Sequence, residues 1–185
     1  MQGFNSRRFF INENGDKLIQ LQSDRLLFNW RKNSEKDLYP KFTSVLEEFM
    51  KIYNNVLISA KNVAEKLNQL EITFIDHINI KDFGLESYQL NEIFNNFTFS
   101  DHFKSIECNF TIPQETINGN LTLILRSAIN IKDQSRIIVC ETTCRGSLVN
   151  SESMGNWYNK SHNILLDYFI DLFSEKSKII WGGKK

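Results

Sequence analysis

The chain has 185 residues, of which 41% are hydrophobic and 24% charged, and its 22 Lys and Arg residues balance 22 Asp and Glu residues. This length and composition suit one globular domain spanning residues 1–185 and exclude a disordered chain. The zero net charge disfavours nucleic acid as a partner, because phosphate contacts need surplus cations. No apolar run reaches the ~18 residues of a membrane helix.

Three short strands are predicted at the N-terminus, where apolar segments are separated by turn residues. They cover residues 8–12, 17–22 and 25–30. Asn14 and Gly15 supply the positive φ that a hairpin between the first two strands needs. In the third strand Leu26, Phe28 and Trp30 fall on one face, because side chains alternate along a strand. These segments predict a three-stranded antiparallel meander.

A long amphipathic helix follows the meander. Apolar residues recur at spacings of three and four from Phe42 to Val56, which is typical of a helix with one buried face. Pro40 fits its first turn, where the missing N–H costs nothing. A weaker pattern predicts a continuation to about Leu67.

The second half of the chain carries four more strand patterns and a final helix. The strands cover residues 71–80, 106–112, 121–129 and 136–145, with a short helix at 88–94 and a long one at about 159–175. Sequential strands usually pair, which predicts a four-stranded meander. The element order predicts an α+β fold, a curved antiparallel sheet of a three-stranded and a four-stranded meander packed against two long amphipathic helices.

The three cysteines do not predict a disulfide framework. Cys140 and Cys144 lie on one predicted strand, where residues four apart share a face but are about 13 Å apart. That separation is too large for one disulfide or one zinc ion, so buried free thiols are expected. An N-terminus without a signal-peptide pattern predicts a cytoplasmic location.

Asp76 and His77 are the weak candidates for catalytic residues. Asp76 lies in the middle of an apolar row, where it would be either a ligand-binding or catalytic acid with a raised pKa or a buried polar anchor. His77 points to the opposite face, so the two cannot form a directly bonded pair. His102 and His162 lie in separate segments, and their spacing predicts no metal site and no cofactor.

Four aromatic residues crowd into the segment NNFTFSDHF and are candidate ligand- or partner-binding residues. They are Phe94, Phe97, Phe99 and Phe103. Aromatic residues are enriched at interface hot spots. The alternative is a loop that folds these rings onto the core.

Three stretches of the chain resemble a sporadically distributed bacterial family of uncharacterised proteins. They are RRFFINENGDKLIQLQSDRLLFNWRK, then LYPKF, then EITFIDHINI. The family pattern has NWr, YP and YiN.I in that order, and a final helix with His and Phe that His162 and Phe169 match. The resemblance implies the same fold and a bacterial, cytoplasmic setting, and it implies no activity.

The chain departs from this family at two places. The Asn of YiN.I falls on Asp76, and family members usually carry an extra segment before the first hairpin. This chain is therefore expected to expose a strand edge, which favours pairing with another chain.

Two hypotheses of function stay open. None of the common nucleotide-binding, zinc-protease or hydrolase motifs occurs, which favours a non-enzymatic interaction or binding module. Such a module would be an accessory component of a bacterial operon, and it would bind a protein partner or associate with itself. The alternative is a small-ligand-binding protein or enzyme that uses a groove between sheet and helices, with Asp76 as its acid.

Overall fold

The computed structural model describes residues 7–34, 37–59, 68–98, 101–148 and 152–182. The chain separates into two compact units, Met1–Lys66 and Leu67–Lys185, referred to as the N-terminal and C-terminal units. The single domain expected over residues 1–185 stays a prediction. None of the helices in the described ranges is long and apolar enough to cross a membrane.

The described residues of the N-terminal unit form a three-stranded sheet and one helix. Its elements are β1 (Arg8–Ile11), β2 (Lys17–Leu21), β3 (Leu26–Trp30) and α1 (Phe42–Ser59), with the strands antiparallel in the order β1-β2-β3. Gly15 adopts the predicted positive φ, at 68°. The helix begins two residues after Pro40, and its predicted continuation from residue 60 to Leu67 lies outside the described residues.

In the part of the C-terminal unit that the structure describes, there are a four-stranded sheet and three helices. The strands are β4 (Leu70–Asn79), β5 (Glu107–Gln114), β6 (Gly119–Ile129) and β7 (Arg136–Gly146). The helices are α2 (Leu90–Ile93), α3 (Met154–Leu172) and α4 (Glu175–Ile180), with two 3₁₀ turns at Ile80–Phe83 and Glu115–Ile117.

The predicted α+β class, with one three-stranded and one four-stranded antiparallel sheet, is confirmed. The order inside the larger sheet is β4-β7-β6-β5, so only β5, β6 and β7 follow one another as a meander. β4 pairs with β7 over ten residues, and Thr73 Oγ1 lies 2.9 Å from Thr143 Oγ1 across this pair. The connection between β4 and β5 is long. It lets the chain cross the sheet, so that β4 pairs with the outer edge of β7 and not with β5.

One face of this sheet forms the core of the C-terminal unit. Leu121, Leu123 and Leu125 of β6 are almost completely buried there, together with Ile138 of β7. Helix α3 packs against β7 and β4, and its Trp157 is fully buried. Leu123, Leu125 and Ile138 belong to one hydrophobic cluster, which also contains Phe94 and Phe173.

Helix α3 begins five residues before the predicted start at Asn159. Ser153 caps it, because its side chain accepts a hydrogen bond from the backbone N–H of Asn156. The first turn contains Gly155 and Asn156, which are poor helix formers and hide this start in the sequence. His162 consequently lies in the middle of the helix and not in its first turn.

Candidate functional site

The N-terminal unit contains a cleft between its sheet and α1. We call it the Trp30 cleft, and its main lining residues are Lys17, Phe28, Trp30, Leu38, Val45 and Glu48. Its volume is about 270 Å³. Three elements and the connection before α1 therefore contribute to one concave surface.

Strand alternation and register explain why these residues meet. Phe28 and Trp30 are two residues apart on β3 and share a face. Lys17 of β2 pairs directly with Trp30, and residues opposite each other in an antiparallel pair lie on the same face. Tyr39 then packs against Trp30 edge to face, with ring centroids 5.0 Å apart, so the NW and YP segments meet here.

An ion pair joins the sheet to α1 inside the cleft. The Lys17 ammonium donates to both carboxylate oxygens of Glu48, at 3.0 and 2.8 Å. This hydrogen bond raises the pKa of Lys17, against the opposing effect of desolvation. With Asp16, which also lines the cleft, the lining carries one net negative charge.

No described residue of the N-terminal unit is buried. The exposed fractions are 53% for Phe9, 53% for Phe10 and 63% for Ile11 in β1, and 89% for Leu38 at the cleft. Clustered apolar exposure of this kind marks interaction surfaces in folded proteins. These four side chains therefore present apolar surface to solvent, whereas most residues of β2 and β3 are half-buried.

Asp76 and His77 lie on opposite faces of β4, as strand alternation predicts. Asp76 is half-buried opposite Cys140, and His77 is exposed opposite Val139. Burial raises the pKa of the Asp76 carboxyl, and nearby His77 partly opposes this. Asp76 lines neither the Trp30 cleft nor a cavity beside the 3₁₀ turn that follows β4.

We expect Asp76→Asn to stabilise the protein at pH 7 by on the order of 1 kcal/mol. Burial raises the pKa of the Asp76 carboxyl above its usual 3.8. The carboxyl therefore contributes most to stability below pH 3.8, where it is protonated, and this contribution is lost as the pH rises through the folded-state pKa. The gain from the neutral Asn should therefore shrink between pH 7 and pH 3. Urea denaturation at several pH values measures it.

Asp133→Asn is the control, because the pKa of the Asp133 carboxyl is shifted in the opposite direction from that of Asp76. A hydrogen bond from Ser135 lowers the pKa of the Asp133 carboxyl, so its ionised form is favoured in the folded state and its removal should not stabilise the protein at pH 7. Equal effects of the two substitutions would contradict the burial argument for Asp76.

The remaining histidines and the cysteines do not converge on a site. His102 lies in an exposed loop with Nδ1 2.7 Å from Ser87 Oγ, and the ring of His162 packs edge to face on Phe74. Cys140 and Cys144 are buried free thiols, as predicted, and burial raises the pKa of each to about 12. Within the described ranges, no three His, Cys, Asp or Glu residues are grouped to hold a metal ion.

The aromatic segment lies mainly against the core of the C-terminal unit. Phe94 is 1% exposed and packs on Phe173, with ring centroids 5.1 Å apart. Phe97 and Phe103 are half-buried against the same core, whereas Phe99 lies outside the described residues. This placement fits the alternative stated for the segment, in which the rings fold onto the core.

The cavity beside the 3₁₀ turn that follows β4 has a volume of about 310 Å³. Lys81, Glu86 and Arg136 contribute its charged groups. The Arg136 guanidinium donates to the backbone carbonyl of Glu86. This cation is therefore bonded to the loop that contains Glu86.

Two buried hydroxyl groups, on β7 and α3, have no hydrogen-bond partner in the described part of the chain. Thr142 on β7 is 1% exposed and Ser161 on α3 is 0% exposed, and neither side-chain oxygen has a partner among the described residues. A buried hydroxyl without a partner costs about 1–3 kcal/mol. We therefore expect Thr142→Val, which keeps the shape of the side chain, to raise the free energy of unfolding by about 1 kcal/mol.

The adjacent Thr143 is the matched control for this prediction. Its hydroxyl is bonded to Thr73, so Thr143→Val should be neutral or destabilising. Thermal denaturation of both variants checks the pair, and a loss of stability in Thr142→Val would show that its hydroxyl is satisfied.

Comparison with known proteins adds no relative. No protein-family model, no curated protein and no solved structure matches this chain. The resemblance to the bacterial family therefore stays a prediction, and the surfaces of the chain itself carry the functional argument.

Proposed function

We propose that this protein is a non-enzymatic interaction module that binds a partner protein at the Trp30 cleft. The observation that carries the proposal is the absence of any buried residue among the described residues of the N-terminal unit. A small unit that leaves its large apolar side chains accessible gains stability when a partner covers them.

The composition of the cleft is that of an interface anchor site. Trp30 and Tyr39 supply aromatic surface, and Leu38 projects at the rim with 89% of its surface exposed. Buried aromatic and aliphatic anchors supply most of the binding energy of an interface, and charged groups at the rim give specificity. The Lys17–Glu48 pair is placed to play this second role.

The apolar lining of the cleft favours an apolar side chain as its occupant. Phe28, Trp30 and Val45 line the cleft, whose volume of about 270 Å³ is close to the lower end of the range for small-molecule pockets, about 300–1,000 Å³. We therefore propose that the partner inserts one apolar side chain between β3 and α1, beside the ion pair.

A binding experiment with two equally exposed positions tests the proposal. The partner is identified by isolating the tagged full chain from its native cells, and the two purified proteins are then titrated against each other by calorimetry. Leu38→Asp is expected to weaken binding at least about tenfold, because it places a charge on the apolar rim beside a negatively charged lining.

Ile131→Asp is the control, because Ile131 is also 89% exposed but lies in the turn between β6 and β7. It should leave binding unchanged. The proposal fails if no protein binds with a defined stoichiometry, or if the two substitutions weaken binding equally.

A small-ligand receptor is the second candidate function, because a cleft between a sheet and a helix is present in the N-terminal unit. Asp16 and Glu48 are its carboxylates, and Asp76 is not one of them. Binding of a small metabolite with Trp30 fluorescence as the readout, unaffected by Asp76→Asn, would favour this candidate over the interaction module.

A further inference from the structure

We infer that the cavity beside the 3₁₀ turn that follows β4 binds a free α-amino acid with an apolar side chain. We call it the Arg136 cavity, and it is lined by Ile80, Lys81, Leu85, Glu86, Gln134 and Arg136. The inference goes beyond the proposed interaction function, because this cavity belongs to the C-terminal unit and the Trp30 cleft belongs to the N-terminal unit.

The walls of the Arg136 cavity come from three segments of the chain. They are the 3₁₀ turn itself, the loop that follows Gly84, and the residues on both sides of Ser135 where β7 begins. The volume of about 310 Å³ falls within the range of small-molecule sites, about 300–1,000 Å³. Such sites combine apolar walls with a few polar groups that orient the ligand.

The charged groups of this cavity form no salt bridge. Lys81, Glu86 and Arg136 line it together, yet none of them pairs with an oppositely charged side chain among the described residues. The exposed arginines of the neighbouring sheet behave differently, since Arg126 bonds Glu141 and Arg145 bonds Glu71. The three charges around the cavity are therefore available to a ligand of matching charge.

The Arg136 guanidinium is held in place before a ligand binds. It donates to the backbone carbonyl of Glu86, and a guanidinium carries further N–H donors in a planar fork. These other donors have no hydrogen-bond partner in the described ranges, and their geometry matches both oxygens of a carboxylate. A donor that is already fixed loses little side-chain entropy on binding.

Gln134 adds a second polar group in a strained conformation. Its φ is 57°, a region that residues other than Gly, Asn and Asp rarely adopt, and such strain clusters at ligand sites. The turn is fixed by bonds from the Gln134 backbone N–H to the Asn130 carbonyl at 2.8 Å and from its Nε2 to the Ile131 carbonyl at 3.1 Å. Its side-chain oxygen is left as an acceptor at the cavity.

Two cations and one carboxylate at the same cavity select a zwitterion. The carboxylate of an amino acid would accept from Arg136 and Lys81, and its ammonium group would donate to Glu86. A simple anion would leave the Glu86 carboxylate unpaired beside it, which opposes binding. Leu85 is half-buried and supplies apolar surface for the side chain of the ligand.

Asp133 does not change this balance. It is close enough to Lys81 to interact electrostatically. Its carboxylate accepts a hydrogen bond from the Ser135 hydroxyl at 2.7 Å, however, and it does not line the cavity. Glu86 is therefore the carboxylate that meets the ammonium group.

An NMR titration of the full chain with L-leucine tests the inference. The backbone amide signals of Gln134 and Arg136 should shift and saturate at one ligand per chain. Isocaproate lacks the ammonium group of leucine, and isoamylamine lacks its carboxylate, but both keep the apolar side chain. Each should bind the wild type at least about tenfold more weakly than L-leucine.

Two neutral variants show which group of the ligand each charge meets. Lys81→Gln should weaken both L-leucine and isocaproate about tenfold, because both carry the carboxylate. Glu86→Gln should weaken L-leucine about tenfold and should not weaken isocaproate, which has no ammonium group. This difference between two ligands of one variant separates recognition from a general loss of folding.

Lys132→Gln is the matched control. Lys132 is an exposed lysine in the turn between β6 and β7, and it does not line the cavity, so the affinity for L-leucine should stay unchanged. The inference is overturned if millimolar L-leucine moves neither amide signal, or if isocaproate binds the wild type as tightly as L-leucine. Equal losses of affinity in Lys81→Gln and Lys132→Gln would also overturn it.

Discussion

Replacing Trp157 with Ala should lower the free energy of unfolding of the C-terminal unit by about 3–5 kcal/mol. Trp157 is fully buried on α3, and its indole N–H donates to the backbone carbonyl of Ile117 at 3.0 Å. The substitution therefore leaves a large cavity and a carbonyl oxygen without its donor. Chemical denaturation followed by circular dichroism measures the loss.

Two further substitutions separate these contributions. Trp157→Phe keeps an aromatic ring and removes the indole N–H, so its smaller loss reports the hydrogen bond together with a smaller change in volume. Trp181→Ala removes an indole that is 41% exposed and should cost less than Trp157→Ala. Equal losses for Trp157→Ala and Trp181→Ala would contradict the assigned role of burial.

Gly119→Ala should destabilise the C-terminal unit by at least about 3 kcal/mol. Gly119 begins β6 and pairs with Gly146 of β7, and a Cβ atom at Gly119 would overlap the backbone carbonyl oxygen of Arg145 and lie 2.5 Å from Gly146 Cα. The backbone cannot yield without breaking the β6–β7 pairing. Thermal denaturation and the yield of folded protein measure the effect.

Gly155 provides the control for this substitution. It lies in the first turn of α3, and nothing is within 4 Å of a Cβ placed there. Gly155→Ala should therefore stabilise the helix by about 0.5–1 kcal/mol. A neutral Gly119→Ala would mean that β6 and β7 lie farther apart than the structure places them.

The strands are the part of the fold that local pattern predicts best. Short apolar runs bounded by turn residues, such as RFFI of β1, or alternating apolar and polar residues, as in β5, mark all seven, because both signals are visible in a few residues. The turns follow equally local chemistry, and Asn118, between β5 and β6, takes the left-handed conformation that Asn tolerates, with φ 44°. Here it is Asn118, and not Gly119, that turns the chain.

Pairing between distant strands and the start of α3 are less visible in the sequence. Nothing in β4 indicates that Asp76 faces Cys140 across the sheet, because register depends on how a long connection folds. Ser153 is a weak signal for a helix start when poor helix formers follow it.

The candidate site is predictable only in part. Strand alternation already places Phe28 and Trp30 on one face, so one wall of the cleft follows from sequence. The pairing of Lys17 with Glu48 spans 31 residues and depends on how α1 lies over the sheet. The sequence instead draws attention to Asp76 and to the aromatic segment, because isolated charges and clustered rings stand out whether or not they line a cavity.

The position of β4 beside β7 also affects the order in which the strands pair while the chain is being synthesised. Thr73 and Thr143, which are bonded across this pair, are 70 residues apart. At a translation rate of about 5–20 residues per second, β4 leaves the ribosome roughly 4–14 s before the strand that completes it. The hairpins of β5, β6 and β7 join near neighbours and can close within microseconds of synthesis. β4 therefore docks last within the C-terminal unit, and its apolar row stays open to chaperones during this interval.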